Sequence, residues 1–66
     1  MPYVKIELMS GRTEDQKAAV ARAVTDALVE LAGARPETVF IVFDDVPAVN
    51  WASGGELLSR RAAQKT

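Results

Sequence analysis

The stretch TVFIVFD, Thr38–Asp44, constrains the fold of this chain more than any other. Its β-branched and aromatic residues read as a strand, but the strand does not alternate. Val39, Ile41 and Phe43 point one way, Phe40 and Val42 the other, and both sets are apolar. A strand apolar on both faces is normally covered on both. The chain has 66 residues, and its one long helical pattern can cover only one face. The other face needs another chain, or forms part of a pocket. Size points the same way, because a domain this short is marginal alone and draws support from disulfides, metals or association. There is no Cys and no His, which removes disulfides, thiolate zinc sites and imidazole chemistry. Association remains. The chain is 48% apolar, but about a third of those residues are alanine, so few large side chains are left for a private core.

The rest of the sequence supplies one strand and one helix before that stretch. Tyr3–Met9 alternates, with Val4, Ile6 and Leu8 on one face and Tyr3, Lys5, Glu7 and Met9 on the other; period two predicts a strand. Ser10, Gly11 and Arg12 interrupt it. Thr13 then stands three residues before Gln16 as a capping box, and Glu14 and Asp15 occupy the first turn, where the helix dipole favours negative charge. Val20, Ala23, Val24, Ala27, Leu28 and Leu31 recur at helical spacing, with Lys17, Arg22, Asp26 and Glu30 opposite. The pattern predicts a helix over about residues 14–32, ended by Gly33 and kept from resuming by Pro36. Strand, helix, strand makes a single β-α-β unit with parallel strands, one domain of the α+β or α/β class. Pro47 and the Gly54-Gly55 pair mark turns, with a short hairpin or reaching arm between them. Ala62–Thr66 is expected to be frayed.

Formal net charge is −1, which gives no basic field for nucleic acid. No apolar run approaches a membrane span, and no signal peptide is expected at the N-terminus. The expectation is a cytoplasmic protein.

Without His or Cys, few groups can act as base or nucleophile. Pro2 is the unusual one. A proline suits the first position of a strand, where no donor is needed. If Met1 is removed, however, Pro2 carries a free secondary amine. An α-amine has a pKa of about 7.7–8.0, and partial burial or nearby cations lower it toward the range useful for a base. Arg12, in the turn between strand and helix, is either a solvated turn residue or a guanidinium that binds carboxylate bidentately. Trp51 either packs or provides a flat apolar wall, and Asn50 beside it is a hydrogen-bond donor or a turn residue. Arg60 and Arg61 fall on a solvated tail or enrich a site in positive charge, and Lys5 and Glu7 are surface or interface residues of a strand face. The Gly54-Gly55 pair lacks the context of a phosphate loop.

These features occur in an order that resembles the 4-oxalocrotonate tautomerase family. The matching segments are Met-Pro2 opening an alternating strand, GRTEDQK at Gly11–Lys17, the β-α-β core, and NWASGGEL at Asn50–Leu57, together about residues 2–61 without gaps. The resemblance implies a tautomerase fold whose sheet is completed by oligomerisation, in small members a hexamer built as a trimer of dimers. It implies a cofactor-independent enol–keto tautomerase acting on a small 2-hydroxydienoate or enol carboxylate, with no metal. Pro2, after removal of Met1, takes the position of the family's catalytic base. Arg12 takes that of the carboxylate-binding arginine, and Trp51 stands where the best-known members have Phe.

One position departs from the pattern. The type enzyme carries a second, substrate-binding arginine in its second strand, where this chain has Phe40. A phenyl ring cannot make a charge-assisted hydrogen bond, so either Asn50, Arg35 or a neighbour's Arg61 replaces it, or the substrate is smaller and more apolar, as a phenylpyruvate-like enol would be. The same change fits a partner-dependent subunit of a hetero-oligomer, and relatives with the same amine hydrate or dehalogenate.

Overall fold

The computed structural model describes residues 1–64, with side chains through Arg61. Strand β1 spans Tyr3–Met9, helix α1 Glu14–Ala32, and strand β2 Phe40–Val46. β1 and β2 form a two-stranded parallel sheet with Tyr3 opposite Phe40 and Met9 opposite Val46. The expected β-α-β unit is present, and β1 has the limits read from its alternation.

β2 begins and ends two residues later than Thr38–Asp44. Pro36–Thr38 forms a 3-10 turn instead. Proline suits the first turn, where no donor is needed, and the Thr38 N–H and Oγ1 both donate to the Arg35 carbonyl, at 2.9 and 2.8 Å. At the other end Asp45 stays in the strand because Lys17 of α1 meets it, with Nζ 2.7 Å from Oδ2.

The ends of α1 follow the sequence closely. Thr13 Oγ1 accepts from the Gln16 N–H at 3.1 Å, and Gln16 Oε1 accepts from the Thr13 N–H at 2.9 Å. Gly33 closes the helix at φ 72°, a left-handed conformation suited to glycine. The buried stripe differs from the expected one. Lys17, Ala21, Val24, Thr25, Leu28 and Val29 are the half-buried residues, whereas Val20, Ala23, Ala27 and Leu31 are exposed, Leu31 by 86%. Lys17 therefore belongs to the sheet-facing side, not the solvent side. The apolar arc is wider than the sheet below it, and its outer half has no cover within the protomer.

The same holds for the sheet. Val4, Ile6, Leu8, Ile41 and Phe43 are half-buried on the α1 side, while Tyr3, Phe40 and Val42 on the other side are 63, 48 and 43% exposed. Among the described residues none is fully buried. The accessible surface is 5005 Å², against about 4,100 Å² for a compact monomer of this mass. The radius of gyration is 15.5 Å, against about 11 Å for a compact chain of this length.

Beyond β2 the chain makes a 3-10 turn at Ala48–Asn50, then strands β3, Ala52–Ser53, and β4, Glu56–Leu57. These form an antiparallel hairpin whose tip is the Gly54-Gly55 pair, so the glycines join the two strands rather than bounding the arm. Their φ values, 60° and 82°, are the pair of positive angles that a tight two-residue hairpin turn requires. Helix α2, Leu58–Gln64, follows. The expected frayed tail and solvated Arg61 are thus corrected: the helix continues through Gln64, and Arg61 bonds back to the hairpin. Lys65 and Thr66 of that tail lie outside the described residues.

Candidate active site

Pro2 directly precedes β1. Its carbonyl accepts the Phe40 N–H at 3.0 Å, which fixes the residue at the sheet end while leaving its own nitrogen out of the ladder. With Met1 attached that nitrogen is an amide; with Met1 removed it is a secondary amine. Phe40 is its neighbour across the sheet, side by side with Tyr3, so two exposed aromatic rings flank this end.

Arg12 lies at the opposite end of β1. Gly11 turns the chain there at φ 125°, and Arg12 Nη1 donates to the Met9 carbonyl at 3.1 Å. The guanidinium is exposed, and among the described residues no carboxylate pairs with it. Trp51 stands at this end too. Its Nε1 donates to the Val46 carbonyl at 3.0 Å, and the same carbonyl accepts the Ser10 N–H at 3.2 Å. One oxygen thereby ties together the start of the α1 approach, the end of β2 and the indole. Asn50 is in the preceding 3-10 turn, its N–H bonded to the Pro47 carbonyl at 2.8 Å and the residue exposed.

The candidates therefore form two groups within one protomer: Pro2 with Phe40, and Arg12 with Trp51 and Asn50. β1 separates them. Its seven residues, at about 3.3 Å each, put the groups on the order of 20 Å apart, several times the reach of an arginine side chain. A substrate small enough for Pro2 cannot also touch Arg12 of the same protomer.

An open recess of about 560 Å³ lies between α1 and the proline turn, lined by Ala18, Ala21, Arg22, Thr25, Pro36 and Glu37. It contains none of the candidate residues. Arg35, a possible replacement for a strand arginine, is turned toward Glu37 at 3.6 Å, and Lys5 toward Asp44 at 3.8 Å.

Two contributors escaped the sequence reading. Lys17 was assigned to the wrong helix face, and Arg61 to a tail. Arg61 Nε donates to Glu56 Oε1 at 3.2 Å and Nη2 to the Ser53 carbonyl at 2.9 Å. A Glu–Arg spacing of five is no helical pair; the step from β4 into α2 brings these two together, and the hairpin fold adds Ser53.

The family model described as Tautomerase enzyme matches residues 2–61. A 2-hydroxymuconate tautomerase of Comamonas testosteroni is 46% identical over 55 residues, 83% of this chain and 87% of that one. Among solved structures, TomN, a 4-oxalocrotonate tautomerase homologue of the tomaymycin biosynthetic pathway, superposes with a TM-score of 0.92 at 29% identity, covering 98% of this chain and all of that one. A heterohexamer 4-oxalocrotonate tautomerase from Chloroflexus aurantiacus gives a TM-score of 0.83 at 29% identity, covering 89% and 95%.

Proposed function

The chain belongs to the tautomerase family, a family of cofactor-independent isomerases, and we propose that it interconverts the enol and keto forms of a small carboxylate with Pro2 as its base. The neutral Pro2 nitrogen takes the enol O–H proton, giving a secondary ammonium and an enolate. The ammonium then returns that proton to carbon, yielding the ketone and the free amine. Arg12 holds the substrate carboxylate in a two-pronged hydrogen bond. Apolar walls from Phe40 and Trp51 weaken screening around the charges and favour the neutral amine.

The observation that carries this reading is the fixed position of Pro2 at the sheet end, its carbonyl held by Phe40 and its nitrogen outside the ladder. The separation of Pro2 from Arg12 adds a condition: each site draws Pro2 from one protomer and Arg12 from another. A twofold pairing of sheets running in opposite directions brings one chain's strand start beside the other's strand end. The uncovered sheet face and outer arc of α1 supply the surfaces, and we take the assembly to be a homohexamer, a trimer of dimers, in the cytoplasm. Phe40 and Tyr3 at the amine favour a substrate with one carboxylate and an apolar body, such as the enol of phenylpyruvate, over a dicarboxylate.

The test is mass spectrometry of the native N-terminus, then ketonisation rates for the enol of phenylpyruvate and for 2-hydroxymuconate. Met1 is expected to be absent, and the amine, titrated by NMR, to fall below the usual 7.7–8.0 or so. Protein retaining Met1 is expected to be inactive, since an amide nitrogen is not basic. Equal rates for Met1-retaining and processed protein would overturn the assignment. A second reading has its own support: the Chloroflexus aurantiacus 4-oxalocrotonate tautomerase is a heterohexamer, and a site shared between chains can be shared between different ones. In that case this chain, purified alone, fails to catalyse exchange until a partner is added.

A further inference from the structure

Hairpin β3–β4 has two residues per strand and belongs to neither edge of the main sheet. A hairpin so short does not hold its shape in water unaided. Three attachments secure it and the tryptophan before it. The Leu58 N–H donates to the Trp51 carbonyl at 2.9 Å, and the Trp51 indole is tied to Val46. The third is the Arg61 fork, which reaches across from α2 to both strands, to the Ser53 carbonyl on β3 and the Glu56 carboxylate on β4. The Arg61–Glu56 pair, 41 and 38% exposed, contributes little as an ion pair. Its planar fork instead fixes a geometry, one donor on each strand, which a lysine ammonium reproduces poorly.

We propose that Arg61 is a positioning residue for the carboxylate pocket: it clamps the hairpin and so sets the pose of Trp51, without touching the substrate. This rests on the reading of Trp51 as a pocket wall. Binding and turnover then separate. Arg61→Ala loosens the wall and raises KM, while Pro2, supplied by another protomer and held there by its own bond to the Phe40 N–H, keeps its position, so kcat changes less.

Trp51 is the chain's single tryptophan, so its emission reports its pose directly. With Arg61→Ala, KM for the enol of phenylpyruvate is expected to rise about three- to tenfold with kcat within about twofold, and the emission to shift to the red. Arg61→Lys is expected to fall between, and Glu56→Gln, which keeps an acceptor and the fold, to produce a smaller shift. In a Trp51→Ala background Arg61→Ala is expected to lose most of its effect on KM, because the wall that Arg61 positions is already gone. An unchanged KM, or a kcat that falls in parallel with it, overturns the proposal, as does full additivity of the two substitutions. If Met1-retaining protein proves as active as processed protein, the function assigned to Pro2 fails instead; an unshifted Arg61→Ala emission would then still overturn the clamp.

Discussion

Trp51→Phe removes one hydrogen bond and almost nothing else, and its cost follows from the local geometry. The Nε1–H lies 3.0 Å from the Val46 carbonyl in a half-buried setting. A neutral hydrogen bond of this kind contributes about 0.5–1.5 kcal/mol net. The larger penalty, a buried acceptor left unpaired, does not arise, because the Val46 carbonyl keeps the Ser10 N–H at 3.2 Å. The ring itself is conserved in kind, so the pocket loses little apolar surface. The expected loss is about 1 kcal/mol per protomer. With a urea dependence of about 1 kcal/mol/M for so small a chain, the unfolding midpoint falls by about 1 M. The measurement is urea unfolding followed by far-ultraviolet dichroism, at matched protomer concentrations because assembly contributes to stability. kcat/KM is expected to stay within about threefold. A loss above about 3 kcal/mol would mean that Val46 is left unpaired after all, and no loss would mean that the indole bond is not made; either refutes the reasoning.

Four further substitutions test other parts of the structure. Gly55→Ala places a Cβ at φ 82° and is expected to cost about 1–2 kcal/mol, read as a lower urea midpoint with α1 intact by dichroism. Arg12→Ala is expected to lower kcat/KM about a hundredfold or more, and Arg12→Lys to recover little of it, since an ammonium does not reproduce the fork. Refolding a mixture of Met1-retaining chains and Arg12→Ala chains is expected to restore activity that neither has alone, to about a quarter of wild type for random assembly in equal parts; no recovery would place Pro2 and Arg12 of every site on one chain. Leu31→Asp puts a charge on a side chain 86% exposed in the protomer, and is expected to reduce the assembled mass in light scattering while leaving helicity unchanged.

What the sequence disclosed depended on how local the signal was. The α1 ends were legible because Thr13, Gln16 and Gly33 act within one turn of themselves, and β1 because its alternation has one buried face. The arc of α1 was misread because Val20, Ala23, Ala27 and Leu31 have the spacing of a core stripe; spacing alone does not say whether one's own sheet or another chain supplies the cover. The shift of β2 came from Pro36, whose turn takes the N–H of Thr38 before the ladder can. Pro2 and Arg12 were singled out by residue type and order, but not the strand length between them, a distance that only the register of β1 and β2 fixes. Arg61 was illegible because one partner, Ser53, sits across a glycine turn and the other, Glu56, stands five residues away, off the helical spacing.

The span of β1 between Pro2 and Arg12 also bears on when catalysis becomes possible. On the shared-site reading, a freshly translated chain has no competent centre at all, however well it folds. Turnover begins only above the concentration at which protomers meet, so specific activity should collapse on dilution into the dissociating range and return on concentration. A gene encoding such a chain would express its chemistry as a threshold rather than in proportion to its dose.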